Sequence, residues 1–271
     1  MHELYKLDRR ATTLAALLAA STLPSHADDR ALKPLAVVAG GFLIPGEQYK
    51  SYQERLEGFG SALTYTDEST LSKPRAPADG ASTLLDQAEQ LATQNKLAKA
   101  APLVLLGHSR GCKTIIAAAA RTKRRVAALV LVDPVDATGP DPSSVLDELS
   151  RLRVPTALIG SGKSAFDCAP TGSNYVAFAD ALQRARAPRL VALLPKAGHT
   201  QFIDNRRVLS TDVCTTGREP DALVREVALE IAAAWTAAAV TSPVDRSLRE
   251  AAESLRTRKF GASVIWEDGD L

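Results

Sequence analysis

The run PLVLLGHSRGCKT, from Pro102 to Thr114, decides the fold. An apolar, strand-like stretch leads straight into two glycines that flank a serine, and an alanine-rich helical stretch begins at once. Serine is a poor core residue and glycine a poor helix former, so Gly107-His108-Ser109-Arg110-Gly111 opposes both of its neighbours. A G-x-S-x-G pentapeptide at a strand-to-helix turn is the context of a nucleophile elbow. A serine on so sharp a turn has a strained backbone, and the glycines let strand and helix close around it. The helix N-terminus that follows adds positive potential where a tetrahedral oxyanion would form. The plainer alternative is a glycine-rich turn with an incidental serine.

A serine hydroxyl is a weak nucleophile and needs a histidine to take its proton and an acid to orient that histidine. The chain has four histidines. His2 and His26 lie near the N-terminus and His108 lies inside the pentapeptide. His199, in AGHTQF after the last strand-like run, is the candidate base by position and elimination. The order Ser, Asp, His allows Asp133, Asp136 or Asp167 as the acid. Asp133 sits at the carboxyl end of its own strand, where groups of open parallel sheets gather, and is preferred, with Asp167 as the rival. The oxyanion donors expected are the backbone N–H of Arg110 and one from AGGFLIP, at Phe42.

Outward from this motif, strand-like runs alternate with helical ones. LAVVAGGF from Leu35, SALTYT from Ser61, PLVLLG from Pro102, VAALVLVD from Val126, VPTALIGSG from Val154 and RLVALLP from Arg189 are short and apolar on both faces, as strands buried on both sides are. Between them GEQYKSYQERLEGF, ASTLLDQAEQLATQNKLA, CKTIIAAAARTK, SNYVAFADALQRA and PDALVREVALEIAAAWTAAAV repeat apolar residues at helical spacing. One more helix is expected after Thr241, before the acidic end WEDGDL. KPRAPADG at Lys73 to Gly80 and DATGPDPSS from Asp136 read as proline-rich turns. The pattern predicts an α/β fold: a mostly parallel central sheet with helices on both faces, in a single domain over residues 28–271.

The first 27 residues differ in kind. Arg9 and Arg10 precede ATTLAALLAASTLPSHA, which has the form of a cleavable twin-arginine export signal. The run is shorter than the about 20 apolar residues a membrane span requires. Export would place the mature protein in a thylakoid lumen or, alternatively, in a bacterial periplasm or outside the cell. A short amphipathic helix is the other reading of this segment.

With 33 Lys and Arg against 31 Asp and Glu, the chain has no basic block longer than Lys123 to Arg125, which argues against a nucleic-acid surface. Cys112, Cys168 and Cys214 lack the spacing of a zinc site or redox pair, and free buried thiols are the favoured reading. An exported compartment would permit Cys168 and Cys214 to pair. ALIGSGKS, from Ala157, resembles a phosphate loop, but its first position is alanine and no helix follows, so nucleotide binding is set aside.

These blocks together resemble the chlorophyllases, a family of the α/β-hydrolase fold that cleaves phytol from chlorophyll. GHSRGCKT looks like the family's serine motif, VDPVDATGP is similar to its Asp-Pro-Val segment, and CAPTGSNYVAF and GHTQFIDN resemble its downstream cysteine and histidine motifs. The likeness runs from about Val37 to Asn205. It implies Ser109 as nucleophile, Asp133 as acid and His199 as base, with no cofactor and no metal. A chlorophyll or related esterified tetrapyrrole is the implied substrate, a chloroplast the implied setting, and peripheral membrane association a further expectation. Departures occur at Cys112, at Gly40 and Gly41, and at Tyr175, where the family pattern has glycine, histidine-glycine and histidine; they bear on substrate preference. Phe42, Leu43, Ile44 and Phe202 are expected to line an apolar cleft for the macrocycle and its isoprenoid tail. The rival functions are a general carboxylesterase or lipase with the same triad, and a silent hydrolase-fold carrier of a tetrapyrrole or isoprenoid.

Overall fold

A computed structural model describes residues 32–70, 72–137, 142–162, 168, 170, 172–205, 214 and 216–267. The expected leader over residues 1–27 and the rival acid Asp167 both fall outside them. Val- and Leu-rich runs form six parallel strands: β1 (Leu35–Ala39), β2 (Ser61–Tyr65), β3 (Leu103–His108), β4 (Val126–Val132), β5 (Thr156–Ser161) and β6 (Arg189–Leu194). A seventh, β7 (Ile265–Glu267), pairs antiparallel with β6 and extends the sheet in the order β2-β1-β3-β4-β5-β6-β7. β7 falls in the acidic tail. A strand of three residues at a sheet edge, with Ile265 half exposed, has no alternation long enough to read from sequence.

Strand residues alternate between two cores. Ala36, Val38, Val104, Leu106 and Val130 face α1 (Lys50–Glu57), α6 (Asp221–Val240) and α7 (Val244–Thr257). Leu35, Val37, Leu103, Leu105 and Leu129 face α2 (Pro77–Gln94), α3 (Gly111–Arg121), α4 (Leu146–Arg151) and α5 (Tyr175–Ala185). Both sheet faces are therefore covered, which is why the central strands carry no polar alternation. No helix among the described residues is long and apolar enough to cross a membrane.

Three local readings change. α2 begins at Pro77, inside the run read as a proline-rich turn, because proline suits the first helical position, where no N–H partner is needed. α4, six residues long, is too short for a periodic signal. The segment GEQYKSYQERLEGF divides into a 3₁₀ turn, Gly46–Tyr49, and α1.

The sheet order reverses between β1 and β3, since β1 connects outward to β2 while later strands step the other way. The carboxyl ends of β1, β3, β4 and β6 thus point to the same end of the sheet, where open α/β sheets place their functional groups.

Free thiols at Cys168 and Cys214 are not what the structure holds: the two form a disulfide with Cα atoms 5.4 Å apart. The segments that follow β5 and β6 bring these residues together from 46 positions apart, a proximity set by strand order and invisible to spacing. Cys112 alone among the three is free and buried. Closing a loop of 46 residues removes denatured-state entropy equivalent to about 4 kcal/mol. Urea unfolding of the Cys168→Ser/Cys214→Ser protein is therefore expected to show a loss approaching that size, with a larger m-value because the uncrosslinked denatured chain exposes more surface. Two additional reactive thiols in unreduced, denatured wild-type protein would contradict the bridge.

Candidate active site

β3 ends at His108, and the chain turns within two residues into α3. Ser109 sits on that turn with φ of 55°, in the left-handed region that L-residues other than glycine, asparagine and aspartate seldom occupy. The turn is possible because its flanks have no side chains. A Cβ at Gly107 would lie 2.7 Å from the Cys112 nitrogen, and one at Gly111 would lie 2.3 Å from the Ala39 carbonyl oxygen. Either contact would push α3 off the ends of β3 and β1, so the two glycines of the motif are steric requirements of this packing.

The structure brings the three residues of the expected triad together. His199, in a 3₁₀ turn after β6, places Nε2 2.8 Å from the Ser109 Oγ and Nδ1 2.7 Å from the Asp133 Oδ2. Asp133 follows β4 directly, is fully buried and has a φ of 41°. Its carboxylate also accepts the Ser161 N–H at Oδ1, 2.8 Å, and the Ser161 hydroxyl at Oδ2, 2.9 Å. With Ser161 already giving two hydrogen bonds to this buried carboxylate, Oδ2 is oriented as an acceptor toward the imidazole. Nδ1 of His199 then carries the ring proton, and Nε2 turns its lone pair to the serine hydroxyl. This is the geometry in which a hydroxyl can be deprotonated as it attacks.

The other acid candidates are placed elsewhere. Asp136 is buried, but its Oδ1 accepts the Val145 N–H at 3.0 Å and its own N–H bonds the Ser173 carbonyl, so it anchors the loop before α4. Ser161, within the run that resembled a phosphate loop, closes β5 and orients Asp133.

The loop after β1 packs onto the serine. A Cβ at Gly41 would lie 3.2 Å from that of Ser109, so a side chain there would press on the nucleophile. Phe42 and Leu43 form the tip of a turn closed by the Ile44 N–H on the Gly41 carbonyl, 3.2 Å, with Leu43 at φ 60°. Arg110 opens the turn into α3.

Two of the expected cleft residues are corrected. Ile44 is 6% exposed and Phe202 is wholly buried, both packed in the core with Val38, Leu106 and Trp235. Turned into the α6 side of the sheet, neither presents a surface to a ligand. Phe42 is half-buried and Leu43 is 46% exposed, so both remain available at the rim.

Several polar contacts here have no mark in the sequence. The Arg110 side chain is nearly buried and bonds the Asp67 carboxylate, the Ser69 hydroxyl and the Arg75 carbonyl, while its guanidinium carbon stands 5.6 Å from the centre of the Phe42 ring. Asp67 in turn accepts the N–H and hydroxyl of Ser69. His108 is buried and neutral: burial, reinforced by the neighbouring His199, pushes its pKa from 6.5 down to about 3. Asp67 and Ser69 lie over forty positions from Arg110, and no spacing rule links them.

Two expectations follow. Removing one partner of a buried pair strands the other charge, so Asp67→Ala should lower stability by about 3–5 kcal/mol, read from chemical denaturation. For His108 the unfolded state binds the extra proton, so stability is complete above about pH 6.5 and declines as pH falls towards 3. Unfolding free energies at pH 7 and 5 should therefore differ more for wild type than for His108→Leu.

A family model described as chlorophyllase matches residues 78–251. Among solved structures, a ferulic acid esterase from Streptomyces cinnamoneus superposes with a TM-score of 0.56 at 18% identity, covering 88% of this chain and 74% of that one. That likeness concerns the fold. A search of curated proteins finds no match. The match to the family model takes in the elbow, Asp133 and His199 and spans well over half of the chain, which belongs to the chlorophyllase family and is a serine ester hydrolase of the α/β-hydrolase fold.

Proposed function

We propose that the protein hydrolyses the phytyl ester of chlorophyll, or of a closely related esterified tetrapyrrole, to the free acid and phytol through an acyl-enzyme on Ser109. The observation that carries this reading is the unbroken chain from Ser109 through His199 to Asp133, at 2.8 and 2.7 Å, in a member of the chlorophyllase family. In the first half-reaction Ser109 Oγ attacks the propionate carbonyl and its proton passes to His199 Nε2. The tetrahedral oxyanion is met by the N–H groups of Arg110 and Phe42, together with the N-terminus of α3. Collapse breaks the ester C–O bond, and the departing phytol oxygen takes the proton from His199. In the second half a water gives its proton to the same nitrogen, attacks the acyl carbon, and releases the tetrapyrrole acid as Ser109 regains its hydrogen.

Apolar rim residues support a greasy alcohol as leaving group. Leu43 is among the few large apolar side chains exposed on the described surface, and it adjoins Phe42 on the loop that abuts the serine. A disulfide persists in oxidising surroundings, so the Cys168–Cys214 bridge supports action in an exported compartment.

The test is release of chlorophyllide from detergent-solubilised chlorophyll a, measured beside hydrolysis of p-nitrophenyl butyrate. Wild type is expected to act on both, and Ser109→Ala to lose about 10⁴-fold or more in kcat on each. Turnover of the nitrophenyl ester without chlorophyllide would replace the pigment assignment by a general carboxylesterase. Failure of a fluorophosphonate to label Ser109 would favour a non-catalytic carrier.

A further inference from the structure

Tyr49 closes the 3₁₀ turn before α1, and His108 is the last residue of β3, adjacent in the chain to Ser109. The Tyr49 hydroxyl accepts the Gly41 N–H at 2.9 Å and lies 2.7 Å from His108 Nδ1. On the far side of the same ring, Nε2 stands 3.0 Å from the His199 carbonyl oxygen. We propose that Tyr49 and His108 form a strut that holds the oxyanion loop and the base loop in fixed relation across Ser109, and that both are positioning residues for the chemistry there. The inference rests on the hydrolytic reading given above.

The direction of every proton follows from chemistry. A carbonyl only accepts, so His108 Nε2 carries the hydrogen that bonds His199. In a neutral ring Nδ1 is then bare and accepts from Tyr49, whose oxygen lone pairs are left for the Gly41 N–H. Each donor is used once and no group is left over. A protonated His108 would bring a second donor to the tyrosine and leave the phenolic hydrogen without an acceptor, in a site where burial already holds the ring neutral.

The ends of the strut are where position decides rate. At one end the Gly41 N–H is engaged, so that peptide cannot rotate, and a Cβ on the preceding Gly40 would come within 2.8 Å of the Tyr49 ring. The loop bearing Phe42 is clamped between that ring and Ser109. At the other end the bond holds the backbone of the residue whose side chain takes the serine proton, and the His108 and His199 rings lie 4.8 Å apart. Tyr49 and His108 are both essentially unexposed. Phenylalanine and leucine would fill such space with no polar group to desolvate, so volume alone does not account for this pair.

The test uses Tyr49→Phe, which removes only the hydroxyl, and His108→Gln, which keeps a donor for the His199 carbonyl but moves the acceptor, now an amide oxygen, off the Nδ1 position that faces Tyr49. Kinetics on p-nitrophenyl butyrate, fluorophosphonate labelling rates and Tm are measured for each and for the double variant, with Ser109→Ala as reference. Misplacement of this kind is expected to lower kcat and labelling about 10- to 100-fold in either single variant. KM should move by less than about threefold, the signature of a group acting in the transition state alone. Because the strut works as one unit, the double variant should be no slower than the singles. Should Tyr49→Phe fail to fold, His108→Gln against wild type makes the same comparison of kcat with KM. Full kcat in the folded single variants, or losses that multiply in the double, would overturn the strut while leaving hydrolysis by Ser109 intact. Undiminished turnover by Ser109→Ala would overturn both.

Discussion

Everything in the site depends on the contact between Gly111 and the end of β1. The carbonyls of Ala39 and Gly40 come so near to Gly111 that a single methyl group there has no room. That closeness tucks the start of α3 against the sheet and forces Ser109 into its left-handed conformation. A residue so held costs of order 1–3 kcal/mol, sustained because the surrounding packing over-determines it. The return is a hydroxyl projecting from the carboxyl end of β3 toward the loops of neighbouring strands. The same contact makes the loop after β1 part of the nucleophile's environment, since what packs on Gly111 leads directly into Gly41 and Phe42.

The topology distributes the remaining parts. Parallel strands aim their carboxyl ends in one direction, so single residues after β3, β4 and β6 converge although 90 positions separate Ser109 from His199. The polar groups then order one another in layers. Ser161 fixes Asp133, Asp133 fixes the imidazole of His199, and the His199 backbone is bonded to His108. Each layer has its hydrogen bonds met from within the protein, which is the condition under which a buried polar network is rigid rather than destabilising.

The strongly local features were legible in the sequence and the long-range ones were not. Gly107 and Gly111 announce the elbow because the same two residues serve strand end, turn and helix start within five positions. Asp133 could be preferred because it ends a strand, and His199 because few histidines competed. Ile44 and Phe202 misled, since an apolar residue in a loop has the same letter whether it faces a ligand or the core, and here α6 covers them. Tyr49, Asp67 and Ser161 were silent for a different reason. Each matters through a partner at least 28 positions away, and a tyrosine in a helical run or a serine at a strand end carries no sign of that partner. The disulfide belongs to the same class, as its two halves are neighbours only once β5 and β6 are side by side.

Arg110 shows how a residue of the serine motif can act away from the serine. Its backbone begins the turn into α3, but its side chain runs to Asp67, Ser69 and Arg75 in the segment between β2 and α2, with the Phe42 ring beneath the guanidinium. An ion pair this buried adds little net stability over a well-packed apolar pair. What it adds is geometry, because a planar guanidinium with several donors fixes the directions of the groups it bonds. Phe42 is thereby held from above by Arg110, and its loop is held from below by the Gly41 bond to Tyr49. Leu43, at the tip between these restraints, stays exposed in a conformation that leucine adopts only when its neighbours impose it. Arg110 thereby sets the apolar rim beside the oxyanion loop, so a change at Asp67 reaches substrate contact and transition-state contact together, while the Tyr49 hydroxyl bears on the loop backbone at Gly41.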